Sequence, residues 1–278
     1  MSEQTWFITG SSRGLGRAIT EAALAAGDRV IATARKPEQL KDLVERYGDR
    51  IVPVELDVTD AEAVKRAVTG KIDVVVNNAG YANLGPIETT TEDDFRRQFE
   101  TNFWGVYNVT RAALPVLREQ GSGTIVQISS IGGRVGGSPG LGSYQAAKFA
   151  VDGLSRVLAA ETAPLGIRVL VVEPGGFATD WAGSSMTIHE VPPAYDTTVG
   201  ARARAMDDPR LSNGDPQRAG EILVRVVKSD ELPTHLPLGV NATDMAQAES
   251  RRELGEAAEW EHVSRSADFG QPYPIDLP

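Results

Sequence analysis

The chain contains no cysteine. That absence excludes disulfides, thiolate nucleophiles and cysteine-ligated zinc. An excess of basic side chains is also missing: 28 Lys and Arg stand against 38 Asp and Glu, a net charge of −10. Non-specific nucleic-acid binding needs a basic footprint, and anionic membranes attract basic segments, so neither partner is expected. The acidic balance suits solubility. No apolar run approaches the roughly 20 residues that span a bilayer. The segment Met1 to Trp6 shows no charged-then-apolar leader, and a cytoplasmic location is expected. No internal repeat or low-complexity tract is found.

What is present is the balance of a globular protein, 41% apolar and 24% charged residues in a chain of 278. That length fits one large α/β domain. Short, β-branched apolar runs at 5–9, 29–33, 51–55, 73–77, 124–128, 168–173 and 235–238 predict strands buried on both faces. Helix-length patterns at 14–26, 37–47, 60–68, 91–119, 144–163 and 216–228 alternate with them. Thr91 followed by Asp94, and Asp215 before Pro216, are helix-start signals. This rhythm implies a doubly wound parallel sheet with right-handed crossovers and helices on both faces. Residues 181–214 break the rhythm; a loop of that length is usually a functional lid or an insert. Residues 242–264 read as a charged helix, followed by a Pro-containing tail to 278.

Glycine concentrates where it has chemical meaning. The run Thr9-Gly10-Ser11-Ser12-Arg13-Gly14-Leu15-Gly16 joins the first strand to the first helix. Glycine there permits a tight turn and lets backbone approach a pyrophosphate. The helix N-terminus offers unpaired N–H groups and a positive dipole end to the anion. NAD binders usually carry Asp or Glu at the end of the second strand. Here that strand ends Thr33-Ala34-Arg35-Lys36, without a carboxylate. Arg35 and Arg13 would attract a 2′-phosphate through charge-assisted hydrogen bonds, so NADP(H) is expected in preference to NAD(H). Asp57, with Val58, follows the third strand and could accept from an adenine amino group or simply cap a turn. Asn77-Asn78-Ala79-Gly80 ends the fourth strand, where an open parallel sheet binds its ligands.

Tyr144 and Lys148 are one helical turn apart and share a face. A free tyrosine titrates near pH 10; a neighbouring ammonium favours the phenolate and lowers that value. Such a unit suits general acid–base work, although a plain surface pair has the same spacing. Ser129 and Ser130 end the fifth strand, where a hydroxyl could polarise a carbonyl. Asn102 lies within a helical stretch, where Asn is unfavourable and tends to kink the helix or hold water.

These residues together resemble the short-chain dehydrogenase/reductase family, from Thr5 to Thr179 and more weakly to Leu238. The resemblance implies a single-domain Rossmann-type fold of about seven strands spanning 1–278. It implies Asn102, Ser130, Tyr144 and Lys148 as the catalytic set, with Asn102 holding a water between Lys148 and solvent. Cofactor contacts are expected from Gly10, Ser12, Arg13, Gly14, Leu15, Gly16, Arg35, Asp57, Val58, Asn78, Ala79 and Gly80. Tyr144, Lys148, Pro174, Gly175, Phe177 and Thr179 complete that set, and no metal is expected. Ser130 precedes Tyr144 by 14 residues, one more than the family usually shows, so Ser129 is the alternative hydroxyl. The runs Ile131-Gly132-Gly133-Arg134 and Lys148-Phe149-Ala150-Val151 are similar to the 17β-hydroxysteroid and retinol dehydrogenase-like branch. The implied activity interconverts a carbonyl and a secondary alcohol. The alternatives are an NADP-binding sensor or scaffold that reduces nothing, and a sugar epimerase or dehydratase using the same Tyr and Lys. Residues 181–214, including Trp181, Met186, Ile188, Val191 and Tyr195, would shape an apolar substrate cavity. A homodimer or homotetramer is implied, through helices over 103–119 and 144–163.

Overall fold

The computed structural model describes residues 3–179, 186–206, 208, 212–273 and 276–277. All seven expected strands form: β1 (Thr5–Ile8), β2 (Arg29–Ala34), β3 (Ile51–Glu55), β4 (Val74–Asn77), β5 (Gly123–Ile128), β6 (Ile167–Pro174) and β7 (His235–Leu238). They make one sheet in the order β3-β2-β1-β4-β5-β6-β7, with every pairing parallel. The chain winds outward from β1 to β3, then returns to β4 and winds the other way. β1 and β4 therefore flank the switch point of a Rossmann-type sheet, beyond whose carboxyl ends ligands bind.

The helices are α1 (Gly14–Ala25), α2 (Lys41–Tyr47), α3 (Ala61–Ala67), α4 (Glu92–Phe99), α5 (Gly105–Gln120), α6 (Gly142–Thr162), α7 (Ala201–Ala205), α8 (Pro216–Val227), α9 (Val240–Glu259) and α10 (Glu261–Arg265). Side chains alternate across each strand. Trp6 and Ile8 pack with Ile19, Leu24, Leu223 and Val224 of α1 and α8. Phe7 points the other way, to Val64, Val109, Leu117 and Leu158 of α3, α5 and α6. Thr91 and Asp215 cap α4 and α8 through their side chains, as the sequence predicts.

The expectation that every strand is buried on both faces fails at the two edges. β3 leaves Val52 47% exposed and β7 is half-buried, because an edge strand has a neighbour on only one side. Pro53 fits β3 for the same reason: it lacks a ladder donor, and an edge tolerates that. The single predicted helix over 91–119 divides into α4, a π-helical turn (Glu100–Trp104) and α5. Within 181–214 the described residues carry a 3-10 turn (Pro193–Tyr195), a π turn (Asp196–Gly200) and α7. Trp181 lies outside the described residues. The charged C-terminal helix is α9 followed by α10, and its buried residues in α9 are only Ala242 and Ala246.

A buried polar cluster ties the C-terminal ends of α1 and α8 to β1. Asp28 is fully buried. It accepts from Trp6 Nε1 at 3.0 Å, from the Gln4 amide at 3.0 Å and from Lys228 Nζ at 2.8 Å. Removing one partner of a buried pair strands the other charge. Asp28→Ala is therefore expected to cost about 3 kcal/mol or more of folding free energy, read by urea denaturation; a loss within error of zero would contradict this account of the cluster.

Candidate active site

The β1–α1 turn is built to receive an anion. Arg13 precedes α1 without a side-chain cap, and the first turn carries no acidic residue, whereas Asp60, Thr91 and Asp215 cap α3, α4 and α8. The first N–H groups of α1 and its positive dipole end thus remain for a ligand. Gly14 has φ +57°, in the left-handed region. A Cβ on Gly16 would collide with the Gly10 carbonyl oxygen and the Asn78 amide. The turn is stapled to the end of β4: Thr9 Oγ1 accepts from the backbone N–H of Asn78 at 2.9 Å and of Ala79 at 3.0 Å, and Asn78 Nδ2 donates to Thr9 O at 2.9 Å. Asn77 instead points into the sheet layer, donating to Gln127 Oε1 at 2.9 Å.

A crevice of about 880 Å³ runs from this turn along the carboxyl ends of the strands. Gly10, Ser12, Arg13, Gly14 and Leu15 line one end together with Arg35, Asp57 and Val58. Asn78, Ala79, Gly80, Asn102, Ser130, Tyr144, Lys148, Pro174, Gly175, Phe177 and Thr179 line the rest, with Thr179 against Gly14 of the turn. Of the residues expected at the site, Gly16 alone is absent from the lining; it sits behind the turn and lets α1 approach it. Asp57 lines the crevice and also caps its own turn, accepting from Thr59 N at 2.9 Å and Thr59 Oγ1 at 2.8 Å. The uncapped helix end, the glycine cradle and the two arginines fit a phosphorylated dinucleotide. No carboxylate stands at the end of β2 to take the ribose hydroxyls.

The phenol, ammonium and hydroxyl meet in the middle of the crevice. Ser130 stands beside the Tyr144 phenol in the crevice and favours its ionised form, and its hydroxyl accepts from Gly132 N at 3.0 Å. Ser129 points away, donating to Lys148 O at 3.3 Å. The intervening loop carries Gly136, Gly137 and Gly140 at positive φ. Lys148 Nζ donates to Ile128 O at 2.8 Å and lies 5.7 Å from the Tyr144 ring centroid. Burial pushes the Tyr144 phenol up to about 12, although Ser130 opposes it, and pushes Lys148 down to about 8. The expected lowering of the phenol by the ammonium is thus overridden: both groups have lost water, and desolvation disfavours both charged forms. Asn102, in the π turn, is fully buried. Its Nδ2 donates to Tyr81 O and Gln98 O, both at 2.8 Å, and its Oδ1 accepts from Tyr81 N at 3.2 Å. Asn102 therefore fixes the turn that carries Gly80.

A polar network beside this set was not anticipated as part of the site. Asp94 is buried and accepts from Asn83 at 2.7 Å and Gln98 at 3.1 Å, with His189 Nε2 at 3.1 Å. Burial pushes Asp94 up, but the hydrogen bonds from His189, Asn83 and Gln98 outweigh it and hold it below its ordinary value. The signal was available: Asp94, Gln98 and Asn102 recur at helical spacing, a polar stripe on a face that turns out to be buried. The apolar candidates fall elsewhere. Met186, Val191 and Tyr195 pack behind the wall, on Leu84, Leu141 and Tyr144, and Ile188 bridges Leu84; Thr187, His189, Arg202 and Met206 line the crevice from that segment. A separate cluster, Asp152, Glu173 and His235, has ligand atoms within 4.8 Å of one another. Its acids already face Arg156 at 2.7 Å and Arg134 at 3.3 Å.

Residues 4–188 match the short chain dehydrogenase family. The chain belongs to that family. It is 52% identical to an oxidoreductase of Botryotinia fuckeliana, BOA17, over 87% of this chain and 90% of that one. A short-chain dehydrogenase from Streptomyces avermitilis superposes with a TM-score of 0.89 at 42% identity, covering 96% of this chain and 99% of the other. A short chain dehydrogenase from Burkholderia cenocepacia, solved in complex with NADP, gives a TM-score of 0.75 at 28% identity, covering 92% and 97%. The protein is accordingly an oxidoreductase of this family. No helix among the described residues is long and apolar enough to cross a membrane.

Proposed function

We propose that this protein interconverts a carbonyl and a secondary alcohol, using NADP(H) in preference to NAD(H). The observation that carries the proposal is that Ser130, Tyr144 and Lys148 line the same crevice as the uncapped N-terminus of α1. A bound nicotinamide dinucleotide supplies or accepts the hydride; the protein supplies position and electrostatics. Arg13 and Arg35 would hold the 2′-phosphate, and the α1 N–H groups the pyrophosphate. Ser130 orients the substrate oxygen and Tyr144 holds the proton it receives. With its phenol near 12, Tyr144 is protonated at neutral pH, which suits a donor and so the reductive direction. Lys148 sits behind it as the group that can restore the proton, and the second lone pair of Asn102 Oδ1 would hold a water on the way to solvent. Residues 181–214 act in this scheme as the substrate loop. The cytoplasmic homodimer or homotetramer belongs to the same proposal; Phe149 and Val157 of α6 and Trp104 beside α5 are exposed apolar side chains available to a second copy.

The sign of the pH dependence follows from the two groups. Lys148 is charged below about 8 and neutral above it; the phenol keeps its proton throughout that range. NADPH consumption with a panel of ketones is expected to be level up to about pH 8 and to decline above it, while alcohol oxidation rises with pH. A reductive rate that climbs through the same range would contradict the assignment. Bound NADPH with no ketone consumed would mark a non-catalytic binder.

A further inference from the structure

We infer that the substrate carries a carboxylate on an apolar body, and that Arg202 of α7 is the residue that binds it. This deepens the carbonyl reduction proposed above and rests on it. Arg202 lines the crevice. Its Nε is buried with no hydrogen-bonding partner among the described residues. A buried donor left unpaired costs free energy, and a guanidinium is a fork made for a carboxylate.

The other cations along the crevice have work already. Arg97 faces Asp94 at 3.6 Å and His189 is held by the same carboxylate. Lys148 donates to Ile128 O at 2.8 Å. Arg13 and Arg35 stand at the far end, beside the glycine turn and the end of β2. Two residues along α7, Arg204 is taken up by Asp196 at 2.7 Å, so Arg202 is the arginine of that helix left for a ligand.

Its position points to the substrate and away from the dinucleotide turn. Arg202 is one helical turn from Met206, and both line the crevice. Met206 packs in the cluster that contains Leu141 and Tyr144. The guanidinium thus shares a wall with the proton donor. Apolar side chains supply the other half: Leu141, Met206, Phe177 and Met245 line the same crevice. A single free guanidinium beside apolar walls matches one unit charge on a hydrocarbon frame.

The test uses oxodecanoates with the ketone at successive carbons, each paired with its methyl ester, and NADPH consumption as readout. At the best ketone position the acid should exceed its ester in kcat/KM by about 10- to 100-fold. Arg202→Met should bring that ratio close to one, and Arg202→Lys should retain part of it. An ester consumed as well as its acid by the wild-type protein overturns the inference, as does a ratio that Arg202→Met leaves intact. If Arg202→Met weakens NADPH binding without changing the ratio, the guanidinium serves the dinucleotide and the inference also fails. A separate arm needs no turnover. Decanoate should bind the NADP⁺-loaded protein, and at least about tenfold more weakly in Arg202→Met, by calorimetric titration. Should no ketone be consumed while decanoate binding still depends on Arg202, the carbonyl chemistry is refuted and the anion site stands. Equal decanoate binding by both proteins removes the site.

Discussion

Tyr144→Phe is expected to lower kcat by about 10³-fold while leaving NADPH affinity within about twofold of the wild type. The substitution deletes one oxygen and keeps the ring. That ring packs with Ala82, Leu84, Leu141 and Val199, so the helix and crevice wall keep their shape. Ser130 still accepts from Gly132 N, so the serine stays in place. What disappears is the proton that Tyr144 holds for transfer to the substrate oxygen. A loss confined to kcat, with substrate and dinucleotide binding intact, is the signature of a group acting in the transition state. Retention of more than about a tenth of wild-type turnover would remove Tyr144 from the mechanism.

Arg35→Asp is expected to shift the ratio of kcat/KM for NADPH over NADH by about 100-fold or more toward NADH. Two effects act in the same direction. The guanidinium that would hold the 2′-phosphate is lost, and the new carboxylate repels that phosphate while offering the ribose hydroxyls two acceptors. Arg35 is exposed at the end of β2, so the change should leave folding untouched, and unfolding temperatures of the two proteins should agree. An unaltered ratio would take Arg35 out of the cofactor site and leave Arg13 as the candidate.

Much of this was legible in the order of residues, for physical reasons. Central parallel strands are covered on both faces, so β1, β4, β5 and β6 stand out as nearly continuous apolar runs. The glycine turn is legible because no other residue allows both its φ and the approach of α1. Other features depend on tertiary surroundings that sequence does not carry. The π turn at Asn102 interrupts a helix whose hydrophobic pattern continues across it. Ser129 and Ser130 are chemically identical in the sequence; strand alternation sends one toward α6 and the other into the crevice. The ionisation of Tyr144 was misjudged because helical spacing reveals the neighbouring ammonium but says nothing about the loss of water. α7 escaped notice because a helix of five residues leaves too short a period to detect. Arg202 therefore carries no signal of its own in the sequence.

The most direct measurement follows the hydride. Wild-type protein is supplied with NADPH deuterated at nicotinamide C4 and with the ketone that it consumes fastest, and the alcohol is analysed by mass spectrometry and NMR. One deuterium at the carbinol carbon is predicted, with labelled alcohol forming about 10³-fold more slowly when Tyr144→Phe is used under the same conditions. An alcohol formed without deuterium at that carbon, or tightly bound NADPH that never transfers it to any ketone, would contradict the assignment of this crevice as a carbonyl-reducing site.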